Sequence, residues 1–121
     1  MDSGVFYRDG DSNMTTYTIK QLGNGQLSDS TGDIYTAPAL TQTIIKNIVL
    51  VNTDTSARTV NLYVSKSGGS VTRITPKDVS VGVGYQLIFN DDITLGPGDK
   101  VQGDASVASV VDYTVSGIEE S

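Results

Sequence analysis

Fourteen Asp and Glu side chains carry most of the acid–base chemistry available to this chain of 121 residues, because it contains neither His nor Cys. That absence removes the imidazole base, the thiol nucleophile and the usual zinc ligands together. Two carboxylates alone can hydrolyse a glycoside. Nearly all the acids here, however, fall in turn-forming stretches or at the carboxyl end, where solvation and Asx turns account for them. The stretch Gly68-Gly69-Ser70-Val71-Thr72 is not a nucleophile elbow, which needs Gly on both sides of the Ser and a helix after it. The sequence therefore predicts no enzyme, no catalytic residues and no cofactor.

Two further motifs come to nothing on inspection. Asp9-Gly10-Asp11-Ser12-Asn13 opens like a calcium loop, with oxygens at alternate positions. Its sixth position is then Met14 instead of Gly, and its twelfth is Lys20 instead of a bidentate Glu, so a solvated turn is expected and no metal site. Asn13-Met14-Thr15 is a glycosylation sequon in form, which carries meaning only behind a secretory signal. Six tyrosines, at positions 7, 17, 35, 63, 85 and 113, could stack on sugar rings. Strand tyrosines more commonly pack at sheet edges or between subunits with the hydroxyl in water, and that is the reading preferred here.

The elements that hold these residues are strands. The chain is rich in Val, Ile, Thr and Tyr, which suit a pleated, half-buried surface, and thirteen Gly supply turns. A net charge of −6 with eight scattered Lys and Arg excludes a phosphate backbone as partner, so no nucleic acid is expected. With no Cys, stability must come from packing and association. No apolar run approaches the length of a membrane span, and Met1-Asp2-Ser3-Gly4 has no basic and apolar leader, which predicts a soluble chain made in the cytoplasm with no membrane partner.

The strongest segment is residues 43–52, a β-branched run apolar on both faces from Ile48 onward, which predicts a central strand. Residues 58–64 alternate, with Val60, Leu62 and Val64 on one face, and an antiparallel hairpin between the two is expected through the turn at residues 52–56. Further strands are predicted at residues 34–37 (an edge strand ended by Pro38), 71–74, 79–83, 85–90, 93–95, 100–103 and 110–118, before a solvated Glu119-Glu120-Ser121 tail. Gly23-Asn24-Gly25 reads as a hairpin turn or loop. Short strands at close spacing mean an all-β, antiparallel β-sandwich or jelly-roll-like single domain. Its core is assigned to Ile48, Leu50, Val60, Leu62, Val64, Leu87, Phe89, Val101, Tyr113 and Val115.

The division drawn is an amino-terminal arm over residues 1–30 and the sandwich over residues 31–121. The arm has only two apolar clusters, Val5-Phe6-Tyr7 and Met14 to Ile19, too few to offset an ordering entropy of roughly 1–2 kcal/mol per residue. Two readings follow: an arm that docks on a neighbour through Phe6, Tyr7, Tyr17 and Ile19, or one in which Thr15 to Leu22 is another strand of the same sheet.

The succession Ile34-Tyr35-Thr36-Ala37-Pro38, Ile44 to Asp54 and Arg58 to Val64, closed by Leu95 to Gly103 and Val111 to Glu119, resembles small virion proteins of tailed bacteriophages. The likeness spans residues 34–119. It implies a non-enzymatic virion component of the head decoration, or cement, type, which stabilises the head by binding across junctions of the major capsid protein. It also implies a homo-oligomer, commonly a trimer, with extended termini gripping its neighbours. A tail or fibre-associated module that recognises host surface carbohydrate is the alternative. Parts of residues 44–51 or 85–89 are expected near the subunit seam.

Overall fold

The computed structural model describes residues 5–7 and 14–121, with side chains from Thr15 onward. Eleven strands are present among them: β1 (Val5–Tyr7), β2 (Met14–Gln26), β3 (Gly32–Thr36), β4 (Gln42–Asn52), β5 (Arg58–Ser65), β6 (Val71–Arg73), β7 (Val79–Val81), β8 (Gln86–Phe89), β9 (Ile93–Leu95), β10 (Lys100–Ala105) and β11 (Val111–Glu120). They form two antiparallel sheets. One has the order β1-β2-β11-β4, with β8 and β9 side by side along the far edge of β4; the other has the order β3-β10-β5, with β6 and β7 along the far edge of β5.

This order has a simple reading. Setting β1 aside and counting β6 with β7, and β8 with β9, as single interrupted strands leaves eight. In chain order the sheets then run first-eighth-third-sixth and second-seventh-fourth-fifth, the double Greek key of a jelly roll. The inner faces meet in a core that includes Ile45, Ile48, Leu50, Val60, Leu62, Val81, Leu95, Val101, Val111 and Val115. All ten residues assigned to the core from the alternation pattern belong to it or pack against it, with Val64, Leu87, Phe89 and Tyr113 partly buried.

Three expectations are corrected. First, β4 and β5 do not pair as a hairpin; they lie in opposite sheets and face each other across the core. The cause is Asn52, whose side chain is buried: Nδ2 donates to the carbonyls of Ser56 (2.9 Å) and Val81 (3.0 Å), and Oδ1 accepts the Asp54 N–H (2.9 Å). These bonds turn residues 52–57 into a corner that carries the chain from one sheet to the other. Second, Gly23-Asn24-Gly25 is no turn but the interior of β2. The ring of Tyr113, opposite Gly25 on β11, lies where a side chain would be: a Cβ at Gly25 would stand 3.0 Å from its hydroxyl. Third, Glu119 and Glu120 are not a loose tail; they end β11, paired on both sides.

The edge between arm and sandwich drawn at residue 30 is not followed by the sheet. From Tyr17 to Gln26 β2 pairs with β11 in the six-stranded sheet, so for this stretch the reading as another strand of the same sheet describes the molecule. Both neighbours of β11 bulge beside Ser116: Leu22 on β2 is the extra residue opposite the step from Val115 to Ser116, and Lys46 on β4 the one opposite the step from Ser116 to Gly117. Gly117 makes this possible, since a Cβ there would stand far inside van der Waals contact of the Ile44 carbonyl oxygen and 2.8 Å from Leu22 Cδ1. The bulge reverses the alternation along β4, so that Thr43 and Ile45, then Ile48, Leu50 and Asn52, all face inward.

Candidate interaction surface

With the inner faces buried against each other, any site must lie on the outer faces or at the ends. On the outer face of the second sheet, Asn61 of β5 is the hub. Its Nδ2 donates to Asp78 Oδ1 (3.0 Å) and Asp104 Oδ1 (2.9 Å), while its Oδ1 accepts from Arg73 Nη1 (2.7 Å) and the Asp78 N–H (2.8 Å). The full hydrogen-bonding capacity of the amide is used. Asp104 Oδ2 also takes the Tyr63 hydroxyl (3.0 Å) and the Thr31 hydroxyl (3.2 Å), and the Arg73 guanidinium sits 5.1 Å from the centre of the Tyr63 ring. Burial, with the Asp104 carboxylate beside it, pushes the Tyr63 hydroxyl above its ordinary pKa. On β3, Asp33 accepts from Gln102 (2.7 Å) and Lys100 (3.1 Å), which hold it below the usual carboxylate range. This face is polar, and its groups answer one another.

The outer face of the first sheet is built otherwise. Ile118 of β11 stands directly between Ile19 of β2 and Ile44 of β4, with Thr94 of β9 beyond. This makes a row of three isoleucines across three strands, with Ile19 75% exposed and Ile44 39%. Two steps along the strands, Val49 of β4 stands between Thr114 and Ile88, and Ile88 is 47% exposed. Polar pairs flank the apolar rows: the Tyr17 hydroxyl donates to Glu120 Oε2 (2.9 Å) at one end, and Gln26 Nε2 donates to Asp112 Oδ1 (2.9 Å) at the other. Outward apolar residues on adjacent strands support one another but gain most of their burial only from a partner.

One polar cluster reaches inside. The Tyr35 hydroxyl, on β3, donates to Glu119 Oε2 of β11 (2.5 Å) and lies 2.8 Å from Thr43 Oγ1 of β4, so it ties the two sheets at one end. Burial and the neighbouring carboxylate push its pKa up to about 12. Burial works against the charge on Glu119, but hydrogen bonds from Tyr35 and Lys20 outweigh it and lower its pKa, which fits a structural carboxylate. At the sandwich's side opposite β2, Ile74, Pro76, Val79, Leu87 and Phe89 line an open apolar cleft of about 300 Å³.

Of the four residues assigned to the arm's anchoring, Phe6 and Tyr7 fall in β1, and their side chains lie outside the described residues, as does the calcium-loop-like stretch 9–13. Tyr17 and Ile19 are two apart on β2 and share the outer face of the first sheet, Tyr17 half-buried. The alternation pattern did not single out Ile118 and Ile44 as their companions, because only the strand register places the three isoleucines in line. The five tyrosines whose side chains are described form no row: Tyr35 and Tyr113 face inward, Tyr17 and Tyr63 lie on opposite outer faces, and Tyr85 stands 71% exposed before β8.

No protein-family model and no curated protein matches the sequence. Among solved structures, the chain is similar to two crystal structures of a pentameric capsid protein isolated from metagenomic phage sequences. Identity is 18% in both, with TM-scores of 0.34 and 0.35 over 82% of this chain. The chain spans 60% and 58% of the length of those two chains. A likeness of that size assigns no function.

Proposed function

We propose that this chain is a structural virion protein of a tailed phage, a decoration protein that stabilises the head by binding across junctions of the major capsid protein. The observation that carries the reading is the contrast of the two outer faces: one with its polar groups mutually bonded, the other with Ile19, Ile118, Ile44, Val49 and Ile88 facing solvent. The resemblance over residues 34–119 gives the kind of partner, and the jelly roll is an architecture that capsid proteins use among others. The chemistry required is modest. Each Å² of apolar surface removed from water contributes roughly 25 cal/mol, and a binder that engages only the assembled lattice stabilises that state by mass action. No bond is made or broken.

Immunogold electron microscopy of purified particles, with an antibody to this chain, tests the reading. Label distributed over the head is expected, and head particles stripped of the chain should rebind it in co-sedimentation. Label confined to the tail or fibres would overturn the decoration role in favour of the alternative, a module that recognises host carbohydrate.

A further inference from the structure

Every open sheet ends in edge strands, each presenting a row of backbone N–H and C=O groups that another strand can pair with. Most edges of this molecule are cut short. β3 has five residues, β8 four, and β6, β7 and β9 three each. They also carry or adjoin charge: Asp33 on β3, Arg73 on β6, Asp78 before β7, and Asp91 and Asp92 between β8 and β9. Short, charged edges are how soluble proteins discourage further pairing.

β2 departs from this pattern. It is thirteen residues long, and β11 covers one side of it, while β1 covers the other only opposite Met14, Thr15 and Thr16. Among the described residues, no strand covers the outer side of residues 18–26. Lys20 is the single charged residue of β2, and Glu119 Oε1 lies 3.1 Å from its ammonium. Gly23 and Gly25, just beyond the Leu22 bulge, leave this part of the strand nearly bare of side chains, and pairing along a Gly-rich strand is little restricted by its own side chains.

We propose that this free edge of β2, residues 18–26, pairs antiparallel with the same edge of a second copy, joining two six-stranded sheets into one. Three observations select that occupant. β1 already pairs antiparallel with β2 on this edge, so an incoming strand continues an existing ladder. The free stretch is bounded by β1 at one end and, at the other, by Leu27, where the chain turns into the core. Under a two-fold axis each boundary of one copy falls opposite the other boundary of its partner, so the two stretches fill one another. Finally, two copies of a chain with net charge −6 repel over most of their surfaces. This edge brings together strands that hold no carboxylate and one already neutralised lysine. The exposed Ile19 stands on it and carries the isoleucine row up to the junction.

The assembly so built is two-fold, unlike the trimer that the resemblance implies, and it does not depend on where a particle would carry the chain. The absence of cysteine makes the test direct, because a single introduced one reports only contacts between copies. Gln21→Cys lies mid-stretch, and Gln86→Cys, on β8 at the opposite edge, is its control. Mild oxidation should convert Gln21→Cys to a covalent dimer and leave Gln86→Cys monomeric on a non-reducing gel. Sedimentation equilibrium of the unaltered chain should give twice the 12.8 kDa mass. The double variant Ile19→Lys, Asn24→Lys should lose that dimer while keeping the parent's strand circular dichroism. A monomeric or trimeric mass at every concentration would overturn the proposal, as would equal cross-linking of both cysteine variants. So would a Gln21→Cys chain that stays monomeric, the result expected if another segment of the same chain covers the edge.

Discussion

The outer faces of the two sheets are made from strands of similar composition, yet one is finished within the chain and the other is not. On the five-stranded sheet, Asn61 spends both N–H groups and both lone pairs on Asp78, Asp104 and Arg73. On the six-stranded sheet, Ile19, Ile118 and Ile44 line up with nothing above them among the described residues. A polar face can be completed internally because hydrogen bonds are pairwise and saturable, whereas an apolar row gains burial only by being covered. The difference separates a face that stabilises the fold from a face that is available for assembly.

The largest expected effect tests whether both faces rest on one core. Leu62 is fully buried between the sheets, and Leu62→Ala should cost about 2–5 kcal/mol, read from the midpoint of chemical denaturation. Both faces should be lost in a single transition, followed by NMR signals of Tyr17 for the first sheet and Tyr63 for the second. Separate transitions would mean that the sheets fold as independent units and that the contrast between their faces has no common base.

Gly117 sharpens the contrast from the other direction, since it lies beside Ile118 at the β4 bulge and one residue past the β2 bulge. Gly117→Ala forces a Cβ against the Ile44 carbonyl oxygen and the Ile45 Cα, backbone atoms held in the ladder between β11 and β4, while the Leu22 methyl it also meets can turn aside. Overpacking of this kind typically costs about 1–3 kcal/mol. Chemical shifts should move along β2, β11 and β4, while the Asn61 cluster keeps its own. A variant as stable as the parent would show that the double bulge is not fixed by this glycine.

Asn61→Ala examines the finished face. It strands Asp78, Asp104 and Arg73, and the cost expected for unsatisfied partners is about 1–3 kcal/mol, at the low end because these groups reach water. The same half of the molecule carries an acid-sensitive joint. Asp99 accepts from Lys66 Nζ (2.8 Å), the Ser67 N–H (2.9 Å) and the Gly96 N–H (3.0 Å), which together lower its pKa from 3.8 to about 2. A carboxylate depressed in the folded state contributes stability that is complete above pH 3.8 and is lost as pH falls from there through 2. Asp99→Asn should flatten that part of the stability-versus-pH curve; an unchanged acid limb would remove Asp99 from it.

How much of this was legible in the sequence depends on the range of the physics involved. Period-2 alternation told which side of Val60, Leu62 and Val101 faces inward, because burial of one face is a local constraint. It did not tell which sheet a strand joins. The corner after β4 looked like a hairpin turn because Asn52 to Ser56 has turn chemistry; what makes it a corner is the carbonyl of Val81, 29 residues away. In the same way, Gly23 and Gly25 looked like a turn until Tyr113, some 90 residues on, was seen to fill the space above them. The isoleucine row was illegible for the same reason, since three residues at positions 19, 44 and 118 meet only through register.

The smallest expected effect on the isolated chain bears most directly on the contrast. Ile44 contributes its exposed side chain to the unfinished face and little to the core, which its neighbours Thr43 and Ile45 face instead. Ile44→Gln should therefore change the unfolding free energy by no more than about 0.5 kcal/mol, as surface substitutions usually do. If the row is an assembly face, the same variant should lose binding to heads stripped of the chain, measured by co-sedimentation beside the parent. The two readouts are needed together. Weakened binding with stability kept places Ile44 on the surface that docks, while weakened stability would mean that the row is part of the sandwich's own packing. Binding and stability both unchanged would take the isoleucine row out of the mechanism and leave the face merely apolar.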